Sequence, residues 1–375
     1  MLHVKETVIG IIGDGQLALM LAESLIKLNR SFLCLATQSN SPMMRAFPQH
    51  TTLNAEEFRN KADIFTLENE FLNELQLQKL LQDKVTKVFP DLDSYCHFED
   101  KLSQRRFFQR LDLPSPRWRS LCPGDDSALI LNEFVMPFVL KASQGGYDGK
   151  GVRVIKTAEE YQEALSDFGF YDGCSLLIEE KVSIKQEVAQ GFVQSVGGCS
   201  WLPLVDTVQT DGVCNFVYYP PAISESVRLQ IDQIIQKLID YPLIGIFNFE
   251  FFIDDKDVVT INEGAPRPHN SQHLTLNASD FSQFDLLALH LTGQENLPAS
   301  VTTKKSAMIN ILGKSSSSDY QLKLPVINDV RIFPKLYGKE QCSPGRKMGH
   351  VNIVDESGDH NLRSIAEKIF KEYEI

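Results

Sequence analysis

The sequence predicts an α/β protein in which a parallel N-terminal sheet is followed by a glycine-loop hairpin and a larger mixed region. Three observations predict this fold class. Residues 7–28 follow the pattern of a buried strand, a glycine turn and a helix. Residues 136–155 follow the pattern of a strand, a glycine-dense loop and a second strand. The remainder contains alternating apolar and polar segments, which are typical of antiparallel strands.

The N-terminal region is predicted to form a parallel sheet with helices on its faces. Thr7 to Ile12 is a continuous apolar run, typical of a strand buried on both faces, and Gly13 to Gly15 supplies a turn after it. Residues 16–28 carry leucine, methionine and alanine at helical spacing. Further strands are predicted over 31–35 and 62–67, so strand and helix alternate through about the first 95 residues.

The pattern changes from Asp100 onwards. A helix over 101–111 ends before a proline-containing turn, and a strand over 136–141 leads into the glycine loop 145–151. A strand follows this loop, whereas a helix follows the phosphate-binding loop of P-loop proteins. The other predicted elements are strands over 152–155, 175–180, 187–194 and 247–253, helices over 158–165 and 225–238, and a flexible loop over 314–318.

Composition and charge limit the classes of function. The net charge of −12 argues against a nucleic-acid partner, because duplex binding draws on clustered Lys and Arg. No apolar run approaches the roughly 18 residues that span a bilayer, so we expect a cytoplasmic protein without a membrane partner. The seven cysteines are scattered and form no CxxC pair, which favours neither a disulfide framework nor a zinc site.

Two glutamates in a predicted hairpin form a candidate magnesium site. If residues 254–257 form the loop, Ile253 pairs with Val258 and Glu250 lies opposite Ile261. Glu263 is then diagonal to Glu250 on the same face, at roughly 7–8 Å between backbones. Two carboxylates at that spacing can converge on Mg²⁺ together with nucleotide phosphates. A solvated strand face is the alternative interpretation.

The segment after this hairpin is a candidate anion-binding loop. Residues 262–273 contain Arg267, His269 and His273 together with two prolines, which lower the entropy lost when a binding loop becomes ordered. The arginine offers a two-pronged donor for a carboxylate, bicarbonate or phosphate. The HxxxH spacing is also compatible with zinc, but the prolines argue against the helix that would align the two histidines.

Three glycine-framed segments are candidates for phosphate binding. Lys141 and Lys150 flank the glycine loop, so their ammonium groups and the loop N–H groups could cover a polyphosphate. The Gly13 to Gly15 turn fits an anion at a helix N-terminus, as in dinucleotide-binding folds. Near the C-terminus, cations cluster around two glycine-containing turns and indicate a phosphate-bearing substrate: Lys335, Lys339, Arg346, Lys347 and His350.

Five motifs together resemble N5-carboxyaminoimidazole ribonucleotide synthetase, a family of de novo purine synthesis within the ATP-grasp superfamily. They are GGYDGKG at 145–151, NExAPRPHNS at 262–271, SQF at 282–284, YGK at 337–339 and GRKMGH at 345–350. The resemblance implies an ATP-grasp fold with an N-terminal α/β domain over 1–98, a small lid over 99–172 and a larger mixed domain over 173–375. It also implies a homodimer.

The resemblance implies an ATP site between the lid and the third domain. Phosphate contacts are expected from two lysines and the glycine loop, adenine contacts from the backbone of 179–182, and a ribose contact from Glu187. The ligands of Mg²⁺, for which Mn²⁺ is a possible substitute, are expected to be Glu250 and Glu263. The expected nucleotide-binding residues are Lys101, Lys141, Gly146, Tyr147, Asp148, Gly149, Lys150, Gly151, Glu179, Glu180, Lys181, Val182, Glu187, Asn262 and Glu263.

The resemblance also implies a site for bicarbonate and 5-aminoimidazole ribonucleotide. Bicarbonate is expected to attack ATP to give carboxyphosphate, whose CO₂ is captured by the amine of the ribonucleotide. The residues expected to take part in catalysis are Arg267, His269, Asp148 and Lys339. The expected substrate-binding residues are Gly15, Gln16, Leu17, Glu68, Tyr147, Asp148, Arg267, His269, Asn270, Ser271, Lys339, Arg346 and Lys347.

Some positions differ from the family's usual sequence, and three other functions therefore stay open. The first turn usually has glycine and arginine where this chain has Asp14 and Leu19, and Gln272 stands at a usual glycine. An ATP-grasp ligase with another acceptor, such as formate with glycinamide ribonucleotide, is one alternative. A non-catalytic nucleotide-binding subunit is another. An NAD dehydrogenase is indicated only by the first turn.

Overall fold

The structure is a computed structural model that describes residues 7–122, 125, 127–144, 151–170, 174–302 and 304–375. Its strands form three separate sheets, and each sheet corresponds to one region of the sequence. Among the described residues, no helix is both long and apolar enough to cross a membrane.

The first sheet is parallel and has the strand order β3-β2-β1-β4-β5. The order reverses on either side of β1, so the carboxyl ends of β1 and β4 border a crevice of the kind that binds ligands in open α/β sheets. Its elements are β1 (Ile9–Ile12), α1 (Gln16–Lys27), β2 (Phe32–Leu35), α2 (Pro42–Ala46), β3 (Thr51–Thr52), α3 (Ala55–Lys61), β4 (Ile64–Leu67), α4 (Glu74–Leu81), β5 (Val88–Phe89) and α5 (Leu92–Tyr95).

The second sheet is antiparallel, with the order β6-β9-β7-β8. The helices α7 and α8 pack their apolar side chains, among them Ile130, Tyr161 and Leu165, against one face of it. The helix α6 precedes the sheet. These elements are α6 (Lys101–Arg110), β6 (Trp118–Leu121), α7 (Ser127–Glu133), β7 (Phe138–Ala142), β8 (Val152–Ile155), α8 (Ala158–Asp167) and β9 (Leu176–Glu180).

The third sheet has nine strands, all paired antiparallel, in the order β15-β14-β10-β12-β13-β16-β18-β17, with β11 beside β10. Its elements are β10 (Ile184–Ser195), β11 (Gly198–Trp201), β12 (Val205–Thr210), β13 (Val213–Tyr219), α9 (Glu225–Asp240), β14 (Gly245–Asp254), β15 (Val259–Ala265), α10 (Thr275–Ala278), α11 (Gln283–Leu291), β16 (Lys305–Leu312), β17 (Arg331–Leu336), β18 (Lys347–Asp355) and α12 (Leu362–Glu372).

One apolar core joins the first sheet to the third. Met20 and Leu25 of α1 pack in the same buried cluster as Phe284 and Leu287 of α11 and Ile246 of β14. Burying such side chains contributes about 1.5–3 kcal/mol each. This packing fixes the carboxyl edge of the parallel sheet beside β14 and β15, where the predicted site residues lie.

The predicted secondary structure is confirmed, with shifts of a few residues at element ends. The N-terminal parallel sheet, the strand–loop–strand pattern around the glycine loop and the antiparallel strands of the remainder are all present. The glycine loop itself, at 145–150, lies outside the described residues. None of the seven cysteines, which all lie in the described ranges, forms a disulfide.

Candidate active site

A cavity of about 1060 Å³ lies where the three sheets meet. A cavity of this size, lined by charged and polar groups, is large enough for a nucleotide and a second small substrate. The carboxyl edge of the parallel sheet, the second sheet and the β14–β15 hairpin all contribute to its lining. The predicted residues that line it are Gly15, Gln16, Leu17, Glu68, Lys101, Lys141, Glu179, Glu180, Lys181, Val182, Glu187, Glu250, Asn262, Glu263, Arg267, His269, Asn270, Ser271 and Lys347.

Other predicted residues lie elsewhere. Lys339 and Arg346 lie beyond this lining, in the connection between β17 and β18. The Lys339 Nζ donates to the Lys347 carbonyl at 2.7 Å, and an Arg346 N–H donates to the Gln341 carbonyl at 2.8 Å. Gly151, whose carbonyl accepts from the Ala142 N–H, precedes β8. Five predicted residues lie outside the described ranges: Gly146, Tyr147, Asp148, Gly149 and Lys150.

The β14–β15 hairpin places two carboxylates directly opposite each other. Glu250 pairs with Glu263 in the ladder, while Phe251 pairs with Ile261, so a bulge at Asn262 separates the two pairs. Side chains of directly opposed residues lie on the same face of a sheet, with Cβ atoms about 4.5–5.5 Å apart. The two glutamates therefore approach more closely than the predicted diagonal arrangement.

The predicted register of this hairpin was wrong by one residue. Ile253 pairs with Val259 and not with Val258. The loop is longer than predicted because the Asp254 carboxylate accepts from the backbone N–H groups of Lys256 and Val258, both at 2.8 Å. The bulge at Asn262 then adds the residue that brings Glu263 opposite Glu250.

The carboxylate pair is electrostatically suited to a divalent cation. Burial and the charges of Glu263 and Glu187 raise the pKa of Glu250, whereas the Lys101 ammonium lowers the pKa of Glu263. Burial and Glu263 also raise the pKa of Glu187 to about 7. Among the described residues, no group of three or more His, Cys, Asp or Glu side chains is placed to hold a metal ion. A cation here would therefore need oxygen ligands from a bound nucleotide as well as from this pair.

Two lysines from different elements lie beside the glutamates. The Lys101 Nζ is 3.4 Å from a Glu263 carboxylate oxygen, and the Lys141 Nζ donates to the Asn262 Oδ1 at 3.3 Å. Burial lowers the pKa of Lys141, and Glu179, whose carboxylate is 2.7 Å from the Lys141 Nζ, opposes that effect. Cations and carboxylates thus face the cavity together, which is the charge pattern that a metal–triphosphate group requires.

A buried ion pair between Arg105 and Glu179 supports Lys141. The Arg105 Nε donates to the Glu179 Oε1 at 2.6 Å, and both side chains are only 3% exposed. Burial alone would raise the pKa of Glu179, but Lys141 and Arg105 bring it down to about 2. Both carboxylate oxygens of Glu179 therefore have a cationic partner within the protein.

The candidate anion-binding loop at 262–273, called the proline-rich loop below, orients an arginine and a neutral histidine toward the cavity. Arg267 forms a two-pronged ion pair with Glu70, in which its Nε and Nη2 donate to the two carboxylate oxygens. The Asn248 amide donates to the Arg267 carbonyl at 2.9 Å and holds the backbone. The His269 Nε2 is 3.7 Å from a Glu250 oxygen, and its Nδ1 is 2.9 Å from the Ser271 hydroxyl.

His269 is uncharged at neutral pH. Burial and the neighbouring Arg267 charge lower its pKa to about 4. His273, the other histidine of the HxxxH pattern, is fully buried, and its Nδ1 accepts from the Gln283 amide at 3.0 Å. The two rings therefore have separate partners. Both residues border the cavity, but it is His269 that lies beside Glu250.

The helix N-terminus at the first turn is occupied by the protein's own carboxylate. Glu68 accepts from the Gly15 N–H at 2.6 Å and from the Leu17 N–H at 3.1 Å. The predicted external anion at this helix end is therefore replaced by Glu68. The Asp14 carboxylate accepts from the Thr37 N–H at 2.8 Å, so it stabilises the segment after β2.

Gly15 is required by this arrangement. A Cβ atom at residue 15 would lie 2.3 Å from the Glu68 Oε1, well inside van der Waals contact. Burial raises the pKa of Glu68, and the N–H groups of Gly15 and Leu17 oppose that effect. The glycine therefore allows the carboxylate to approach the helix end, and the cavity keeps a carboxyl group at this wall.

Two charged residues that support the site were not identified from the sequence: Glu70 and Arg105. Glu70 follows β4 at the carboxyl edge of the parallel sheet, two residues after Glu68, and that position alone could have indicated it. Arg105 is one helical turn after Lys101 in α6, so it faces the same direction. Its burial against Glu179 depends on the second sheet and carries no local signal.

Comparison with known families assigns each region of the chain. The family model described as ribonucleotide synthetase preATP-grasp domain matches residues 6–96, and the ATP-grasp domain model matches 106–284. The model described as phosphoribosylaminoimidazole carboxylase C-terminal domain matches 306–364. Together with the cavity of opposed glutamates and lysines, these matches define an ATP-grasp protein.

Similar proteins specify the family further. The N5-carboxyaminoimidazole ribonucleotide synthase of Synechocystis sp. is 32% identical over 94% of this chain and 93% of its own length. The protein of the same name from Synechococcus elongatus is 31% identical over 92% of this chain and 89% of its own length. The chain belongs to the N5-carboxyaminoimidazole ribonucleotide synthase family, and the resemblance recognised in its motifs is confirmed.

A solved structure agrees in fold over nearly the whole chain. The N5-carboxyaminoimidazole synthetase from Staphylococcus aureus, complexed with ADP, superposes with a TM-score of 0.81 at 25% identity. The match covers 97% of this chain and 97% of that one. The predicted ATP-grasp fold is thereby confirmed.

We predict that Arg105→Leu destabilises the protein by about 3 kcal/mol, because removing one partner of a buried ion pair leaves the other charge incompletely compensated. Urea-induced unfolding measures this change. Arg106→Leu is the matched control, since Arg106 is the exposed neighbour on the same helix and its loss is expected to cost less than about 0.5 kcal/mol. Equal stabilities of the two variants would contradict a supporting role for Arg105.

Proposed function

We propose that the protein is an ATP-dependent ligase that carboxylates 5-aminoimidazole ribonucleotide with bicarbonate, giving N5-carboxyaminoimidazole ribonucleotide, ADP and phosphate in purine biosynthesis. The observation that carries this proposal is the Glu250–Glu263 pair facing Lys101 and Lys141 across one cavity, with Arg267 beside it. Membership of the synthase family supports the choice of substrates.

ATP is proposed to bind between the second sheet and the β14–β15 hairpin. Residues 179–182 would contact adenine through their backbone and Glu187 would contact the ribose, while Lys101 and Lys141 would hold the phosphates. Glu250 and Glu263 would hold Mg²⁺, or Mn²⁺ in its place. The metal ion would neutralise charge on the transferring phosphoryl group, and the two lysines would add to that effect.

Bicarbonate is proposed to lie between Arg267 and His269. The Glu70 carboxylate fixes the guanidinium plane of Arg267, which then presents its remaining N–H groups. A neutral His269 can donate or accept a hydrogen bond without repelling Mg²⁺.

Bicarbonate attacks the terminal phosphate of ATP, ADP leaves, and the carboxyphosphate formed delivers CO₂ to the amine of the ribonucleotide. Asp148, Tyr147 and the glycine loop are proposed to close over this reaction and exclude water, which protects the labile intermediate.

The ribonucleotide is proposed to lie along the wall formed by the first turn and the C-terminal cations. Gly15, Gln16, Leu17 and Glu68 would border it, and Asn270 and Ser271 would approach it from the proline-rich loop. The Asn270 amide is held by a mutual hydrogen-bonded pair with Asn310 at 2.6 and 2.9 Å. The proposed phosphate ligands are Lys339, Arg346 and Lys347.

We also propose the division into regions 1–98, 99–172 and 173–375, which the three sheets support. One strand, β9, lies beyond residue 172 although it pairs with the sheet of the middle region. A homodimer and a cytoplasmic location are proposed from the resemblance to the family.

The decisive experiment measures ADP release with Mg²⁺ and different acceptors. We expect ADP release to require both bicarbonate and 5-aminoimidazole ribonucleotide. Release with formate and glycinamide ribonucleotide instead would favour another ligase activity. An absence of ATP hydrolysis with every acceptor would indicate a nucleotide-binding subunit without catalysis.

We predict that Glu263→Gln reduces turnover by at least about 100-fold, because it removes both a proposed metal ligand and the charge that pairs with Lys101. The measurement is the steady-state rate of ADP release at saturating Mg²⁺. Glu56→Gln, an exposed residue on α3, is the control and should leave the rate unchanged. A Glu263→Gln enzyme that kept half of the normal rate would refute the metal assignment.

We predict that Glu70→Gln raises the KM for bicarbonate about tenfold while the KM for ATP stays within about twofold. The amide keeps the shape of the side chain but loses the charge that orients Arg267. Steady-state kinetics with each substrate varied in turn measures both constants. A parallel loss of affinity for ATP would show that Glu70 stabilises the whole cavity and does not position Arg267 specifically.

A further inference from the structure

An arginine outside the motifs lies against the C-terminal cations. Arg45 lies in the last turn of the helix α2, which follows the carboxyl end of β2 in the parallel sheet. Its Nη1 donates to the Gly338 carbonyl at 3.1 Å, and its side chain is exposed. Gly338 immediately precedes Lys339 in the connection between β17 and β18. Arg45 therefore reaches from the first sheet to the proposed phosphate ligands on the third.

The connection that carries Lys339 is held in place from both sides. The Tyr320 hydroxyl donates to the Lys339 carbonyl, and the Asn40 amide donates to the Glu340 carboxylate. Burial raises the pKa of Tyr320, while the charges of Arg45 and Arg346 both oppose that effect. Both guanidinium groups therefore lie within electrostatic reach of the same hydroxyl group.

The arrangement leaves Arg45 able to bind an anion. A guanidinium has five N–H donors, and the contact with the Gly338 carbonyl uses one of them. The nearest carboxylate in this connection, that of Glu340, accepts from Asn40. Arginine binds phosphate through two parallel N–H bonds, so the free side of Arg45 has suitable geometry for a phosphate monoester.

The first turn does not supply positive charge for a phosphate. A phosphate beside α1 would ordinarily be stabilised by the helix N-terminus. Here the N–H groups of Gly15 and Leu17 are bound to Glu68, and Asp14 adds a second carboxylate beside them. Neutralisation of the ribonucleotide phosphate is therefore expected from side-chain cations on other elements.

We propose that Arg45 is a phosphate-binding residue of the ribonucleotide site, where it acts together with Lys339 and Arg346. This inference rests on the proposed function, since that function places a ribonucleotide phosphate at the connection between β17 and β18. A phosphate bound by Arg45 on one side and by Lys339 and Arg346 on the other would link α2 of the first sheet to the β17–β18 connection of the third. Arg45 accordingly selects the phosphorylated substrate over the corresponding nucleoside.

The test compares Arg45→Ala with Arg30→Ala. Arg30 is exposed in the loop before β2, at the opposite edge of the parallel sheet, so its removal changes the net charge equally. We expect Arg45→Ala to raise the KM for 5-aminoimidazole ribonucleotide at least about tenfold, with the KM for ATP within about twofold. Arg30→Ala should match the unmodified enzyme in both constants.

The dephosphorylated nucleoside separates phosphate binding from a structural role. We expect Arg45→Ala and the unmodified enzyme to use aminoimidazole riboside equally poorly, because neither can gain from a phosphate contact. Equal losses with nucleotide and nucleoside would instead mean that Arg45 only holds the Gly338 turn, and would overturn the proposal. An unchanged KM for the ribonucleotide would overturn it as well.

A binding measurement keeps this test independent of the reaction. Titration calorimetry with ribose 5-phosphate is expected to show binding to the unmodified protein and to Arg30→Ala, and at least about tenfold weaker binding to Arg45→Ala. If the enzyme fails to use 5-aminoimidazole ribonucleotide, the proposed function fails, and calorimetry still decides whether Arg45 binds a sugar phosphate. Equal affinities of all three proteins would refute the role of Arg45.

Discussion

The opposition of Glu250 and Glu263 across the β14–β15 hairpin is the constraint on which the site depends. Two carboxylates at this spacing repel each other, and their partial removal from water penalises each charge. The Lys101 ammonium offsets part of that cost at Glu263, whereas the pKa of Glu250 remains raised. The hairpin therefore keeps an unfavourable pair in place because β14 is held rigidly between β10 and β15. A divalent cation between Glu250 and Glu263 would relieve the repulsion that remains.

Each of the three sheets supplies different charged residues of the site. The parallel sheet contributes Glu68 and Glu70 from the end of β4, the second sheet contributes Lys141 from β7, and the third contributes the glutamates and the proline-rich loop. Because α1 and α11 share one apolar core, the first and third sheets are packed against each other. Arg267 and Glu70 join these two sheets a second time, directly at the cavity. The Arg267–Glu70 ion pair thus orients Arg267, the proposed bicarbonate ligand, and also links the two sheets at the cavity wall.

Local patterns predicted most of the elements, and long-range contacts explain what they could not predict. The strand at Ile9–Ile12 and the helix at Gln16–Lys27 follow from an apolar run, a glycine turn and helical spacing. The hairpin register was missed because it depends on Asp254 capping its own loop and on a bulge at Asn262. Arg105 was missed for a similar reason, since its partner Glu179 is 74 residues away. The strand order of the nine-stranded sheet likewise depends on pairings between distant segments, for which the sequence carries no local signal.

The first turn shows how a familiar pattern can conceal a different electrostatic arrangement. A glycine turn before a helix is ordinarily a site for an external anion, yet here Glu68 of β4's carboxyl end occupies the N–H groups of Gly15 and Leu17. The helix dipole is therefore already compensated, and the wall it forms carries carboxyl groups instead of positive potential. Such a wall suits the hydroxyl and amine donors of a ribonucleotide better than its phosphate. The phosphate end of that substrate is accordingly expected where cations gather, at the turn between β17 and β18, and the amine end beside Glu68 and the proline-rich loop.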